Sequence, residues 1–298
     1  MMFTAALFEP AGPEGVSSPY RFTENVIMAI NVALAAGRPL LVTGPPGSGK
    51  STLARAVADH GEFDYVEHVF TSRSELSDLT AGFDAVRRLT DAQIRSLKED
   101  GAYLLPGVLW WAFDPESAKR HLAESGIRRR DARVAPSRGK GTVVLLDEID
   151  KADPDLPNDL LAPLDHHAFP LPDGVQIRAQ GTVLVVITSN KERRLPPAFL
   201  RRCIHLEMAI EGKDFFTEVA RAHLGEDHDG LYDAVADVLM GQRESARRAG
   251  RREPSTAEYL DTVRVCRALG IAPGSPQWEM VQRAALAKAP RDVMDVVP

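Results

Sequence analysis

The apolar residues of this chain are arranged differently before and after residue 209. Before it, short continuous runs of apolar or β-branched residues occur at positions 40–43, 142–146 and 182–187. Such runs are typical of strands buried on both faces of a parallel sheet. After residue 209 no strand-like run remains, and helical segments are predicted at residues 213–223, 231–248, 256–269 and 276–288.

This change of pattern predicts the domain organisation. We expect an α/β domain, with a parallel sheet flanked by helices, over residues 20–208, and a small all-α domain over residues 209–298. Residues 1–19 are interrupted by proline and glycine and are expected to form an irregular lead-in.

Local signals predict the smaller elements of the first domain. Thr23 is placed to cap a helix that Gly37 ends. A hairpin is predicted at residues 167–180, centred on Asp173 and Gly174. The other expected elements are strands at residues 63–70 and 204–207 and helices at residues 91–99, 117–124, 154–164 and 196–202.

Composition narrows the class of protein. The chain has 298 residues, of which 44% are hydrophobic and 26% charged, as in an ordinary globular protein. Its net charge of −6 argues against broad affinity for nucleic acid or membrane surfaces. Two cysteines, Cys203 and Cys266, lie in apolar settings and are expected to be buried. No signal peptide or membrane-length apolar run is present, so we expect a cytoplasmic protein.

A glycine-rich loop follows the first predicted strand. It comprises Gly44, Pro45, Pro46, Gly47, Ser48, Gly49, Lys50, Ser51 and Thr52. Glycines allow several backbone N–H groups to surround one anion, and the helix that begins at Lys50 adds its positive dipole end. Lys50 is expected to contact the β- and γ-phosphates, and the Ser51 hydroxyl to bind Mg²⁺. The pattern therefore predicts a binding site for a nucleoside triphosphate.

Polar residues end two further predicted strands. Asp147 and Glu148 follow the second, and Asn190 follows the third. Because ligands gather at the carboxyl ends of parallel strands, we expect these side chains to meet the phosphates. Asp147 is suited to help hold Mg²⁺, Glu148 to polarise the attacking water, and Asn190 to orient that water. Asp150 fits a structural role as well as a catalytic one.

Arg201 and Arg202 end the short helix predicted at residues 196–202. A guanidinium can stabilise the charge that develops on the γ-phosphate, and an arginine on a rim helix can reach the nucleotide of a neighbouring subunit. Two solvated arginines at a helix C-terminus would be equally consistent with the sequence. The basic segment at residues 128–140 is best explained as a solvated loop, with a ligand-gripping surface as the alternative.

Together these segments resemble the AAA+ ATPases, and more narrowly their MoxR-like branch. Residues 44–51 resemble Walker A, residues 143–150 Walker B, residues 188–190 sensor 1, and residues 195–202 the arginine-finger segment. Residues 104–109 and the predicted hairpin resemble the helix-2 insert and the pre-sensor-1 insert of this branch.

The resemblance implies a P-loop core with a helical lid, and a homo-oligomer, usually a hexameric ring, with ATP and Mg²⁺ between subunits. It implies that hydrolysis drives a change in a partner protein, such as one with a von Willebrand factor A domain. The partner would be remodelled, activated, or loaded with a metal or cofactor. It matches Arg202 best as the finger, with Arg201 second. The start of the helix predicted at residues 256–269 lacks the expected sensor 2 arginine. Either Arg251, Arg252 or Arg264 replaces it, or the contact is absent.

The same residues are also consistent with other functions. A nucleic-acid motor or a restriction-type NTPase could use this core, although basic and aromatic residues are not interleaved. A small-molecule kinase is disfavoured by the paired carboxylates Asp147 and Glu148 and by Asn190. A scaffold that binds nucleotide with little hydrolysis would have the same motifs.

Overall fold

The computed structural model describes residues 20, 22–127, 140–208, 212–227 and 229–286. Nine strands occur among these residues: β1 (Leu40–Thr43), β2 (Asp64–Val69), β3 (Ala81–Phe83), β4 (Leu104–Pro106), β5 (Thr142–Asp147), β6 (Ala168–Pro170), β7 (Gln176–Arg178), β8 (Val183–Ser189) and β9 (Ile204–Glu207). The α-helices of the same residues are α1 (Glu24–Ala36), α2 (Lys50–Gly61), α3 (Leu76–Leu79), α4 (Ala85–Gln93), α5 (Val108–Phe113), α6 (Pro115–Ser125), α7 (Leu156–Asp159), α8 (Leu161–His166), α9 (Pro197–Leu200), α10 (Lys213–Leu224), α11 (Leu231–Arg248), α12 (Thr256–Leu269) and α13 (Pro276–Val281). Short 3₁₀-helices lie at Asp100–Tyr103 and Ile149–Lys151, and a π-helical turn at Gln282–Leu286.

Contacts divide the chain into two units. Among the described residues, the first unit lies within residues 20–44 and 50–208, and the second within residues 45–49 and 212–286. The predicted lead-in at residues 1–19 lies outside the described residues, as does the predicted basic loop apart from residue 140. None of the described helices is both long and apolar enough to cross a membrane.

A parallel sheet is the frame of the first unit. Its strand order is β2-β5-β8-β1-β9, and every neighbouring pair is parallel. This confirms the expected α/β fold, and it brings the carboxyl ends of β1, β5 and β8 to one edge of the sheet. Two small antiparallel pairs, β3 with β4 and β6 with β7, lie outside it. The second pair is the predicted hairpin, and Gly174 turns it with φ of 86°.

Both faces of the sheet are buried, which is why its central strands are continuously apolar. Along β5, Val144 and Leu146 belong to a core that includes Trp110 of α5. Val143 and Leu145 of the same strand belong to the core on the opposite face, which includes residues of α1 and α2. Successive side chains of a strand point to opposite faces, so a strand covered on both sides has no polar alternation.

The predicted helix at residues 91–99 is wrong. The helix in this region is α4, at Ala85–Gln93, and the residues after it are irregular. Asp84 sets its start, because its carboxylate accepts the N–H of Arg87 at 2.9 Å. Arg95 adopts a left-handed conformation with φ of 58°, which the α-helix does not allow.

The helix predicted at residues 154–164 consists of two short helices, α7 and α8. Pro163 has no N–H to donate to the carbonyl of Asp159, so a continuous α-helix cannot be fully bonded here. The two helices nevertheless bury Leu156, Leu160 and Leu164 in one core.

The described part of the second unit, apart from residues 45–49, is helical. Helices α10 to α13 bury a core around Phe216, Tyr232 and Tyr259. The predicted capping box at the start of α12 is confirmed: Ser255 accepts the N–H of Glu258, and the Glu258 carboxylate accepts the N–H of Ser255 at 2.7 Å. Residues 287 and 288 of the last predicted helix lie outside the described residues.

Candidate functional site

The glycine loop has the backbone that its sequence predicts. Gly44, Gly47 and Gly49 have φ values of 156°, 74° and 85°, which residues with a Cβ seldom adopt. The loop leads directly into α2 at Lys50. Ser48 is 5% exposed, and its hydroxyl has no hydrogen-bond partner among the described residues. A buried hydroxyl without a partner is expected where a polar ligand supplies the bond.

Lys50 is held inside this site. Its ammonium is buried and donates a hydrogen bond to the carbonyl of Gly44 at 2.9 Å. Burial lowers the pKa of Lys50 from its ordinary value, while the carboxylates of Asp147, Asp150 and Glu148 act in the opposite direction. The approach of phosphate oxygens would favour the charged ammonium further.

Asp147 receives two hydroxyl hydrogen bonds on one oxygen. The Ser51 hydroxyl donates to Asp147 Oδ1 at 2.7 Å, and the Thr188 hydroxyl donates to the same atom at 2.6 Å. These contacts join α2 and β8 to the end of β5, as the strand-end argument predicts. The Thr188 hydroxyl also accepts the N–H of Glu148 at 2.8 Å.

Glu148 is held by both of its carboxylate oxygens. The Asn190 amide donates to Oε1 at 3.2 Å, and the Lys151 ammonium donates to Oε2 at 2.6 Å. The hydrogen bond to Glu148 raises the pKa of Lys151. Glu148 has φ of 59°, an uncommon conformation for a residue with a Cβ. Backbone outliers of this kind often occur at functional sites, where the surrounding structure holds them in place.

Asp150 has a structural position. It is 4% exposed and accepts the N–H of Glu192 at 2.9 Å and the N–H of Asn190 at 3.4 Å. It therefore fixes the loop after β8, which carries Asn190. Of the two roles that the sequence allowed, this arrangement favours the structural one.

The two arginines differ in their surroundings. Arg202 donates to the carboxylate of Asp165 at 2.6 Å and to the carbonyl of Ala198 at 3.2 Å. Arg201 is exposed, and its guanidinium has no hydrogen bond or ion pair with any described residue. Neither guanidinium forms a hydrogen bond or an ion pair with Asp147, Glu148 or Asn190.

A cavity of about 360 Å³ adjoins Ser51 and Asp147 on the side of β2. Arg55 lies there with its guanidinium carbon 4.1 Å from the centre of the Tyr65 ring. The Tyr65 hydroxyl donates to Glu67 at 2.7 Å, and burial together with this bond raises the pKa of Tyr65. This cluster was not predictable from the sequence, because its members lie on two elements and form no known pattern.

The site fits Mg²⁺ that arrives with a nucleotide. In the described residues no group of three or more His, Cys, Asp and Glu side chains is placed to hold a metal by itself. Magnesium commonly takes one or two protein oxygens and completes its shell with phosphate and water. The Ser51 hydroxyl and the Asp147 carboxylate, which lie 2.7 Å apart, are oxygen ligands of this kind.

Comparisons with known proteins agree with this geometry. Midasin from Giardia intestinalis is 24% identical over 262 residues, which cover 82% of this chain. The chain spans only about 4% of the length of that relative. Residues 39–203 match the family AAA domain (dynein-related subfamily), and this match covers more than half of the 298 residues. The expected AAA+ core is thereby confirmed, and the chain belongs to the AAA domain family, in its dynein-related subfamily.

Proposed function

We propose that this protein is an ATPase of the MoxR-like branch, which uses Mg²⁺ to hydrolyse ATP to ADP and phosphate. One observation supports this most strongly. The hydroxyls of Ser51 and Thr188 meet on Asp147, and the next residue, Glu148, is held by the amide of Asn190. A phosphate loop followed by this arrangement suits a site where water, rather than a bound acceptor, attacks the γ-phosphate.

The loop and the start of α2 would bind the triphosphate. Backbone N–H groups between Gly44 and Lys50 and the dipole of α2 favour an anion. The Lys50 ammonium neutralises the terminal phosphates, and the free hydroxyl of Ser48 is available to the same ligand. Ser51 and Asp147 would hold Mg²⁺, which would supply charge neutralisation for the phosphates.

Glu148 would act as the general base. It accepts a proton from the attacking water while the Asn190 amide, hydrogen-bonded to Oε1, orients the carboxylate and the water. Its other oxygen is occupied by Lys151. Each carboxylate oxygen can accept a second hydrogen bond, so Glu148 can receive the proton while both contacts are in place.

The protein would work as a homo-oligomer, with a hexameric ring as the expected form. Arg202 is our assignment for the finger that acts on the nucleotide of a neighbour, with Arg201 second. Among the described residues neither guanidinium contacts Asp147 or Glu148, which supports action across an interface. We further propose a cytoplasmic protein whose lid motion remodels, activates or loads a partner, such as one carrying a von Willebrand factor A domain.

Phosphate release from ATP, measured without any acceptor, tests the activity. The wild type should release phosphate in the presence of Mg²⁺, and Glu148→Gln should bind ATP equally well while its kcat falls by about 10²-fold or more. Glu116→Gln is the matched control, because Glu116 is exposed on α6 and pairs only with Lys119 there. Absence of release by the wild type would refute the ATPase, and full release by Glu148→Gln would refute the assigned base.

Two further measurements separate this proposal from its alternatives. Turnover of ATP and GTP with and without DNA distinguishes it from a nucleic-acid motor or a restriction-type NTPase, which DNA should stimulate. The mass in solution with and without ATP tests the ring. A mass that stays that of one chain under turnover conditions would contradict the oligomer.

A further inference from the structure

Thr188 joins the two functional carboxylates through one hydroxyl. It lies near the end of β8 and is fully buried. Its hydroxyl donates to Asp147 Oδ1 at 2.6 Å and accepts the N–H of Glu148 at 2.8 Å. Asp147 is the last residue of the neighbouring strand β5 and Glu148 follows it; the pairing of β5 with β8 continues as far as Leu146 and Ile187.

The hydrogen-bond capacity of a threonine fixes the direction of both bonds. A hydroxyl has a single proton, and a backbone N–H is always a donor. The Thr188 hydroxyl must therefore donate its proton to Asp147, and its oxygen must accept the N–H of Glu148. Because the Ser51 hydroxyl also donates to Asp147 Oδ1, Thr188 and Ser51 approach the same oxygen from two different elements.

The bond to Glu148 acts on the backbone. Glu148 has φ of 59°, so its conformation depends on contacts that hold it there. Its N–H is paired with Thr188, and its side chain is paired with Asn190 two residues further along β8 and its loop. One strand end therefore fixes both the backbone and the carboxylate of Glu148.

We propose that Thr188 is a positioning residue that couples the metal-binding carboxylate to the general base. It acts through Asp147 on Mg²⁺-dependent nucleotide binding, and through Glu148 on turnover. The second part rests on the proposed ATPase function; the first needs only that ATP binds with Mg²⁺. Its side chain touches neither water nor phosphate in this role.

Thr188→Val removes the hydroxyl while keeping the branched shape. Hydrogen bonds to charged groups are among the stronger ones in proteins, so the expected losses are large. We expect kcat to fall about 10–100-fold. The factor by which Mg²⁺ tightens ATP binding, obtained from Kd values with Mg²⁺ and with EDTA, should fall about tenfold. The Kd for ATP in EDTA should stay within about twofold, because Lys50 and the loop are unchanged.

Two other variants separate the hydroxyl from packing. Thr188→Ser keeps the hydroxyl and should restore both the Mg²⁺ factor and kcat to within about threefold of the wild type. Thr142→Val, a buried threonine at the other end of β5, is the control for a hydroxyl lost far from the site. Thermal unfolding of each variant shows that it is folded, and Thr188→Ala replaces the valine variant if that one does not fold.

The outcomes are distinguishable. Loss in Thr188→Val with recovery in Thr188→Ser supports the proposal. Wild-type values in Thr188→Val overturn it, and equal losses in the valine and serine variants overturn it in favour of packing. If the wild type binds ATP with Mg²⁺ but does not hydrolyse it, the proposed function fails, while the Mg²⁺ factor of Thr188→Val still decides the role of Thr188.

Discussion

The end of β5 and the segment after α9 carry the two kinds of charged residue that ATP hydrolysis needs, and they differ in how far they are organised. At the end of β5, Asp147 and Glu148 are held by hydrogen bonds from α2, from β8 and from the loop after β8. In the second segment, Arg201 is exposed, and Arg202 is engaged by Asp165. The carboxylate half of the site is therefore formed within one chain, whereas the arginine half is not joined to it among the described residues.

This difference indicates how the activity would be controlled. The groups that we propose bind nucleotide and activate water are already oriented, so binding should need little rearrangement. A guanidinium that arrives only from a neighbour makes turnover depend on assembly. Substitutions at the strand ends should therefore change different measured quantities from substitutions at the arginines.

Arg202→Ala should give the largest effect. We expect kcat for ATP hydrolysis to fall by about 10³-fold with the Kd for ATP unchanged, because the guanidinium would act on the transition state of a neighbour's nucleotide. Arg201→Ala should cost less than about tenfold. Full turnover in both variants would show that the segment after α9 takes no part in the mechanism. Arg178→Ala is the control, because Arg178 is exposed on β7.

A mixture of variants tests whether the arginine acts across an interface. Arg202→Ala subunits keep Glu148, and Glu148→Gln subunits keep Arg202. Mixing them should restore part of the turnover that each has lost, measured as phosphate release at several ratios. No recovery at any ratio would contradict action between subunits.

Lys50→Ala tests the other half of the comparison, the nucleotide-binding groups that lie within one chain. Loss of a buried ammonium that faces phosphate is expected to weaken ATP binding by about 10²-fold, because charge-assisted bonds are the strong ones. Titration calorimetry measures this. Lys119→Ala, which removes an exposed lysine paired with Glu116, should bind ATP as the wild type does.

Much of this contrast was predictable from the sequence, because its signals are local. The continuous apolar runs predicted the sheet, and the glycine spacing predicted the loop before α2. The role of Thr188 was not predictable in this way. Its partners lie about 40 positions earlier in the chain, and only the pairing of β5 with β8 brings them together.

The wrong helix at residues 91–99 has a local cause. Its composition favours a helix, but the cap at Asp84 starts α4 earlier, and the left-handed Arg95 interrupts it. α4 also leaves Val86 and Leu89 exposed, at 78% and 62%. Because α4 has no buried side chain, the sequence contains no pattern of buried positions from which to place it. The local cap at Asp84 sets its position.

Asp165→Asn should have a small effect. The ion pair with Arg202 is partly exposed, with side-chain exposures of 44% and 34%, so its loss should change the free energy of unfolding by less than about 1 kcal/mol. Turnover should stay within about threefold, since Arg202 must leave Asp165 to reach another subunit. Urea unfolding and phosphate release measure both quantities. A loss of turnover as large as that of Arg202→Ala would instead make Asp165 the residue that orients the finger.

The reactivity of the Cys203 thiol shows whether the segment after α9 is packed. We expect it to be packed although Arg201 is exposed. Burial, with a further contribution from Asp165, raises the pKa of the Cys203 thiol to about 12, and burial also raises the pKa of Cys266. At pH 8 few thiolates are present, so neither thiol should react quickly with a disulfide reagent in the native protein. Both should react after denaturation. A fast native thiol would show that one of these segments opens.

The most direct test of the account is the structure of Glu148→Gln with Mg²⁺ and ATP. The terminal phosphates should lie against the Lys50 ammonium, with the metal at Ser51 and on the side of Asp147, at the shared carboxyl ends of β1, β5 and β8. A triphosphate bound away from Lys50, or separated from residues 147 and 148 by the sheet, would contradict it.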